Sequence, residues 1–179
     1  ELVSINKVFD NSKNPVTCII GGSKISTKIN VLINLIKKVD NIIIVGAMAN
    51  NFIKYNGINT GKSLLENNSK KAIEEIYTIS KSNNCKIVIP EDCVISKDFD
   101  GLGTNKNLSS IKEDEIILDI GLKTVKKFND VLDKSNTVLW NGPAGYFENK
   151  SFLNGTLSIA CKISENTKKK SLISIVGGG

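Results

Sequence analysis

Histidine and arginine are absent from the 179 residues. Without imidazole, the chain has no side chain whose unperturbed titration falls near neutrality, and no histidine-ligated metal site. Without guanidinium it has no rigid fork to grip a phosphate from two sides. Any phosphate chemistry must then fall to lysines, backbone N–H groups and helix N-termini, or to another domain. Cysteine is scarce as well: Cys18, Cys85, Cys93 and Cys161, none in C-x-x-C spacing. Cys18, Cys85 and Cys161 lie in or beside apolar segments, so the cysteines read as buried small hydrophobes in a reducing compartment, not as disulfides or zinc ligands. No apolar run reaches transmembrane length and no secretory leader shows. No membrane partner is therefore expected, and the cytoplasm is the expected location.

What is present is ordinary for one globular domain: 40% hydrophobic residues and a formal net charge of +6. Every cation is a lysine, the lysines are scattered, and no aromatics interleave them. A solvated lysine surface is favoured over a nucleic-acid partner. Apolar runs alternate with apolar residues at helical spacing. Strands are expected at Val16 to Ile20, Ile42 to Val45, Lys86 to Ile89, Val94-Ile95, Thr137 to Trp140 and Leu172 to Val176. Helices are expected at Glu1 to Phe9, after Gly21, from Gly46-Ala47 to Gly57, at Ser69 to Ser82, at Gly121 to Leu132 and through Phe152 to Ile163. Residues 96–115 are polar with no clean period, long for a structureless loop, so a hairpin or an edge segment is expected there. Strand–helix alternation implies right-handed βαβ units: an α/β fold with a doubly wound, mostly parallel sheet and helices on both faces, in a Rossmann-like three-layer arrangement.

Two stretches carry candidate chemistry. From Leu139 to Glu148 an apolar strand breaks into Asn141-Gly142-Pro143-Ala144-Gly145 and then leads to a helix. In an open α/β sheet that junction is where ligands bind, and a carboxylate such as Glu148 can take ribose hydroxyls. Trp140 reads as core packing. In Gly21 to Lys28, Ser23 is placed to cap a helix whose first two turns hold Lys24 and Lys28 and no carboxylate. One such lysine is unfavourable by ~0.3–1 kcal/mol, and an anion docked against both would reverse the sign. The alternative is two solvated lysines in a lysine-rich chain. Gly57-Ile58-Asn59-Thr60-Gly61-Lys62-Ser63 imitates a P-loop but has three residues between its glycines and a helix before it, so a phosphate loop is not expected there. Gly21-Gly22-Ser23-Lys24 is not G-x-G-x-x-G, which disfavours a dinucleotide-dependent oxidoreductase.

The string W-N-G-P-x-G-x-F-E formed by Trp140 to Glu148 resembles the nucleotide loop of phosphoglycerate kinases. Ile19 to Ile29 is similar to that family's G-G-[AS]-K-[VI]-S-x-K-[IL]. Ile43 to Ala49 resembles its apolar strand into G-G-G-M-A, with Gly46 kept. Gly61 to Leu64, Leu118-Asp119-Ile120-Gly121 and Ile175 to Gly179 resemble further family segments. The resemblance spans the chain and implies the nucleotide-binding C-terminal domain over residues 1–179, truncated at its own C-terminal end and without the N-terminal substrate domain. It implies Lys24 as the catalytic cation that stabilises the phosphoryl group in flight. It implies nucleotide binding by Gly22, Lys28, Gly46, Leu64, Leu118, Asn141, Pro143, Gly145, Glu148, Gly178 and Gly179. Among these, Lys28 and Asn141 contact phosphates, Gly46, Leu64 and Leu118 border adenine, Pro143 and Gly145 form the ribose and base floor, and Glu148 binds the ribose. Asp119 is left as a cap for the next helix. The implied cofactor is Mg2+ with ADP or ATP, held by an aspartate expected after Gly179; this chain is expected to supply no metal ligand. The implied reaction is reversible transfer of the acyl phosphate of 1,3-bisphosphoglycerate to Mg-ADP, giving ATP and 3-phosphoglycerate, in a monomeric protein. The chain alone is expected to bind nucleotide without turning over. A non-catalytic nucleotide-binding or scaffold domain of the same fold is the alternative.

Overall fold

The computed structural model describes residues 12–170 and 172–177. The helix expected at Glu1 to Phe9, most of the Asp10 to Pro15 turn's start, and Gly178 and Gly179 lie outside them. Five parallel strands form the main sheet in the order β3-β2-β1-β7-β8: β1 Val16–Ile20, β2 Asn41–Ile44, β3 Lys86–Val88, β7 Thr137–Asn141 and β8 Ile173–Gly177. The register runs Ile19↔Ile43 between β1 and β2 and Ile20↔Asn141 between β1 and β7. Chain order proceeds outward from β1 on one side and returns to β7 on the other. The sheet therefore has its topological switch point between β1 and β7.

The alternation of side chains along each strand divides the core in two. Val16, Cys18 and Ile20 of β1 and Ile42 and Ile44 of β2 face one way. They pack with α1 (Ile29–Ile36), α2 (Ala47–Tyr55) and α3 (Lys70–Ser82), through Leu32, Phe52 and Ile76 among others. Ile19 and Ile43 face the other way, onto Phe128 and Leu132 of α4 (Leu122–Leu132) and Ile159 and Ile163 of α5 (Asn154–Lys170). Fully buried side chains of this kind contribute about 1.5–3 kcal/mol each, so both faces hold the three layers together. The expected doubly wound α/β architecture is present.

A second, three-stranded antiparallel sheet, β5-β4-β6, sits at the edge of α2: β4 Asp92–Ser96, β5 Thr104–Asn107 and β6 Ile116–Ile120. It resolves the long polar segment into a hairpin, with Cys93 paired to Lys106, and adds a strand the pattern does not separate. β5 is Thr-Asn-Lys-Asn, exposed but for Lys106, so it shows no apolar alternation to read. Ile53 of α2, Cys93, Ile95, Leu108 and Ile111 form its own small core.

Two local expectations are corrected. Residues 21–28 do not begin a helix: α1 starts at Ile29, with Lys28 at the N-cap and no side-chain cap from Ser23. Gly21 N–H is committed to Asn141 O and Gly22 O accepts from Met48 N–H, so the backbone at the start of this stretch serves the neighbouring loops, and Ile25 is buried ahead of the helix. Cys161 is exposed, unlike Cys18, Cys85 and Cys93. On α5, Ile159 and Ile163 take the inward positions and leave Cys161 on the outer face.

Candidate functional site

The carboxyl ends of β1, β2 and β7 are drawn together by backbone contacts. Gly21 N–H donates to Asn141 O at 2.7 Å, Gly46 N–H to Ala144 O at 3.2 Å, and Met48 N–H to Gly22 O at 2.7 Å. A Cβ on Gly21 would stand 2.7 Å from Pro143 O, closer than real side chains come, so the two loops touch only because that residue is glycine. Gly46 caps α2 at φ +68°, a left-handed conformation glycine adopts without strain.

The β7 loop is held from three sides. Trp140 Nε1 donates to Gly142 O at 2.7 Å, Tyr146 N–H to Leu118 O at 2.7 Å, and Ala144 N–H to the Thr156 hydroxyl at 3.0 Å. Trp140 thus packs on the α4–α5 core, as expected, and also pins the loop. Asp119 does not cap α4. Its carboxylate accepts from Gly155 N–H at 2.7 Å, in the first turn of α5, and from Ile120 N–H at 2.8 Å. α4 is capped instead by the fully buried Asp92 of β4, which accepts from Lys123 N–H at 3.0 Å and Thr124 N–H at 2.7 Å. The motif places Asp119 next to α4 in sequence, but the pleat of β6 turns its side chain toward α5. Burial raises the Asp119 carboxyl to about 6, against the two N–H donors that favour its ionised form.

These loops wall a cleft of about 340 Å³. Seven of the sequence-selected residues line it: Gly22, Gly46, Leu64, Leu118, Pro143, Gly145 and Glu148. Leu64 is 56% exposed at the cleft. Glu148 is exposed at the cleft. Asn141 and Lys28 meet beside it: Lys28 Nζ donates to Asn141 Oδ1 at 3.0 Å, and a Cβ on Gly22 would lie 3.9 Å from Lys28 Cε. An ammonium group therefore stands over the glycine loop at the N-cap of α1, whose first turn holds no acid. A cation there is unfavourable by ~0.3–1 kcal/mol, and a docked anion reverses the sign. The argument applies to Lys28 and not to Lys24, which is exposed in the loop before the helix and does not line the cleft.

Of the other lining residues, Ala47 stands where the resembling segment has a glycine, and several more were not singled out by the sequence. Ala47, Asn50 and Ile53 form a stripe of α2 at helical spacing. Phe99 and Tyr146 meet edge to face at 5.2 Å on the mouth. The stripe was legible as i, i+3, i+6; Phe99, in an aperiodic polar segment, carried no signal. Cys93 also lines the cleft, but burial, seconded by Asp92, pushes its thiol up to about 12, so it is a wall and not a nucleophile. Among the described residues, no group of three or more cysteines, aspartates or glutamates could hold a metal ion, and no helix is long and apolar enough to cross a membrane.

Comparison with known proteins agrees with this arrangement. The family model described as phosphoglycerate kinase matches residues 1–179. The phosphoglycerate kinase of Wolbachia pipientis subsp. Culex pipiens is 41% identical over 180 residues, covering 100% of this chain and 46% of that protein. That of Zymomonas mobilis is 40% identical over 181 residues, with the same coverage of 100% and 46%. The structure of phosphoglycerate kinase from Coxiella burnetii superposes with a TM-score of 0.90 at 34% identity, over 99% of this chain and 46% of that one. The chain thus spans slightly less than half the length of the relatives it matches.

Proposed function

Because the chain belongs to the phosphoglycerate kinase family, we propose that it is the adenine-nucleotide half of a glycolytic phosphotransferase. In this reading residues 1–179 are the nucleotide-binding C-terminal domain, lacking its last part, and a second domain binds 1,3-bisphosphoglycerate or 3-phosphoglycerate. The protein acts as a monomer in the cytoplasm, without nucleic-acid or membrane partners. The observation that carries the reading is the meeting of three strand-end loops around one cleft, with the Lys28–Asn141 pair at its edge.

Each group has work of a definite kind. Lys28, Asn141 and the N–H groups of the glycine loop hold the diphosphate. Gly46, Leu64 and Leu118 border the base, Pro143 and Gly145 form the floor, and Glu148 accepts from the ribose hydroxyls. Gly178 and Gly179, outside the described residues, are assigned to nucleotide binding by the resemblance alone. Mg2+ bound with ADP or ATP would neutralise phosphate charge, held by the nucleotide and by the aspartate that the resemblance implies; among the described residues no cluster of three or more acidic or cysteine side chains would hold it. A terminal oxygen of the ADP β-phosphate attacks the acyl phosphate, the bond to the carboxylate oxygen breaks, and the Lys24 ammonium stabilises the charge on the transferring group. Positioning and charge stabilisation suffice for such a transfer, with no covalent enzyme intermediate, and domain closure excludes water.

Titration of the chain with Mg-ADP, followed through backbone amide resonances, tests the reading. The amides of Gly22, Gly46, Leu118 and Gly145 should shift together. A crystal soaked with Mg-ADP in which the phosphates lie remote from Lys28 and Glu148 overturns it.

A further inference from the structure

Two adjacent asparagines of α2, Asn50 and Asn51, are each 2% exposed. Asparagine is a poor helix former, and a buried amide needs partners for both ends. Asn51 has them: Nδ2 donates to Met48 O at 3.4 Å, and Oδ1 accepts from Glu66 N–H at 2.8 Å and from Ser69 Oγ at 3.3 Å. It fastens the segment leading into α3. Asn50 does not. Its Nδ2 donates to Leu64 O at 3.2 Å, which fixes the orientation of the amide, and among the described residues Oδ1 accepts no hydrogen bond. Asn50 lines the cleft between Ala47 and Ile53, the one polar side chain on an otherwise apolar stripe. The oxygen is not sealed in the core: it opens on the cleft, where water serves it until a ligand donor takes its place.

Resting on the nucleotide reading above, we infer that Asn50 is a specificity-determining residue: its Oδ1 accepts from the exocyclic amine of adenine. The position agrees with the rest of the cleft, because Asn50 holds the backbone of Leu64, a residue placed beside the base. The competing carboxylates are otherwise engaged. Asp119 is committed to the Gly155 and Ile120 N–H groups, and Glu148 is exposed at the cleft on the loop assigned to the ribose. A base with no amine at C6 leaves the Asn50 oxygen without its donor. A base with a carbonyl there sets two acceptors against each other. The cleft therefore prefers ADP over purine nucleotides that differ only at that atom.

The test is a cycle of four dissociation constants on the full 179-residue chain with Mg2+ present: wild type and Asn50→Ala, each with ADP and with purine riboside 5′-diphosphate, which lacks only the amine. Wild type should bind ADP about five- to tenfold more tightly than the purine diphosphate, the net size of one hydrogen bond that replaces a cleft water. Asn50→Ala should lower that ratio to about one, through weakened ADP binding. A general loosening of α2 weakens both ligands equally and leaves the ratio unchanged, which overturns the assignment. A wild-type ratio near one overturns it without any variant, so the question stays decidable if Asn50→Ala does not fold. A wild-type chain that binds neither diphosphate overturns the nucleotide reading itself, a distinct result.

Discussion

Asp119 shows how much one side chain can be asked to do. It lies beneath the β7 loop, is 2% exposed, and joins β6 to the first turn of α5 through Gly155 N–H. Burial holds its carboxyl at about 6 in the fold, above the ordinary 3.8. A folded value above the unfolded one means that the group contributes most to stability below about 3.8, and that the contribution is lost as pH rises through about 6. Two units correspond to about 3 kcal/mol. Comparing wild type with Asp119→Asn in denaturant melts at pH 3.5, 5 and 7 isolates this group, since the other titrating groups are common to both. Wild type should lose about 3 kcal/mol relative to the variant across that range; a constant difference would contradict the argument. At this scale the sequence was informative where a motif named a residue and silent where direction mattered. Leu118 and Gly145, named by motif, line the cleft, but no spacing rule says that Asp119 turns to α5, or that the Asn50 amide bonds Leu64 O and leaves its oxygen to the cleft.

Elements are tied across long sequence distances, and this decides their stability. α4 has no acid in its first turn and no side-chain cap of its own. Its N-terminus is served by Asp92, more than thirty residues earlier, which also accepts from the Thr124 hydroxyl at 2.6 Å. Asp92→Ala leaves the buried Thr124 N–H and hydroxyl without their carboxylate acceptor and the Lys123 N–H to water, and should cost about 2 kcal/mol, at the upper end for a cap, read as a lower denaturant midpoint. Removing the threonine hydroxyl in addition should add less than its single effect, because the two share one network. The same tie explains what periodicity could and could not give. The buried strands β1, β2 and β7 are runs of Ile, Val and Leu that declare themselves. α2 ends where Gly57 predicts, at φ +80°, with Gly57 N–H on Lys54 O and Ile58 N–H on Ile53 O. β5 of the second sheet is held by pairing with β4 and by Asn105 and Lys106 side-chain bonds, not by an apolar pattern, so only a hairpin or edge segment could be expected there.

At the scale of the whole molecule, the five-stranded sheet gathers its loops at one end and leaves the two candidate lysines in different situations. Lys28 is drawn in, bonded to Asn141 at 3.0 Å over Gly22. Lys24 is exposed in the loop before α1; neither lysine is in the cleft lining. If both served the bound nucleotide alike, the difference would have no purpose. On the proposed reading it divides the labour: one ammonium holds a diphosphate already in place, and the other waits for a phosphoryl group brought by a second substrate bound elsewhere in the longer protein. The chain alone should then bind Mg-ADP and show no transfer from 1,3-bisphosphoglycerate. In the full-length protein, Lys28→Ala should weaken ADP binding about tenfold, the loss of one charge-assisted contact. Lys24→Ala should change ADP affinity less than about threefold while lowering turnover by about two orders of magnitude or more, since a cation met mainly in the transition state acts on kcat. Calorimetry on both variants, set beside their kcat and KM, separates the roles; equal losses of affinity and turnover in the two would mean that the lysines act as one site, and the division would fail.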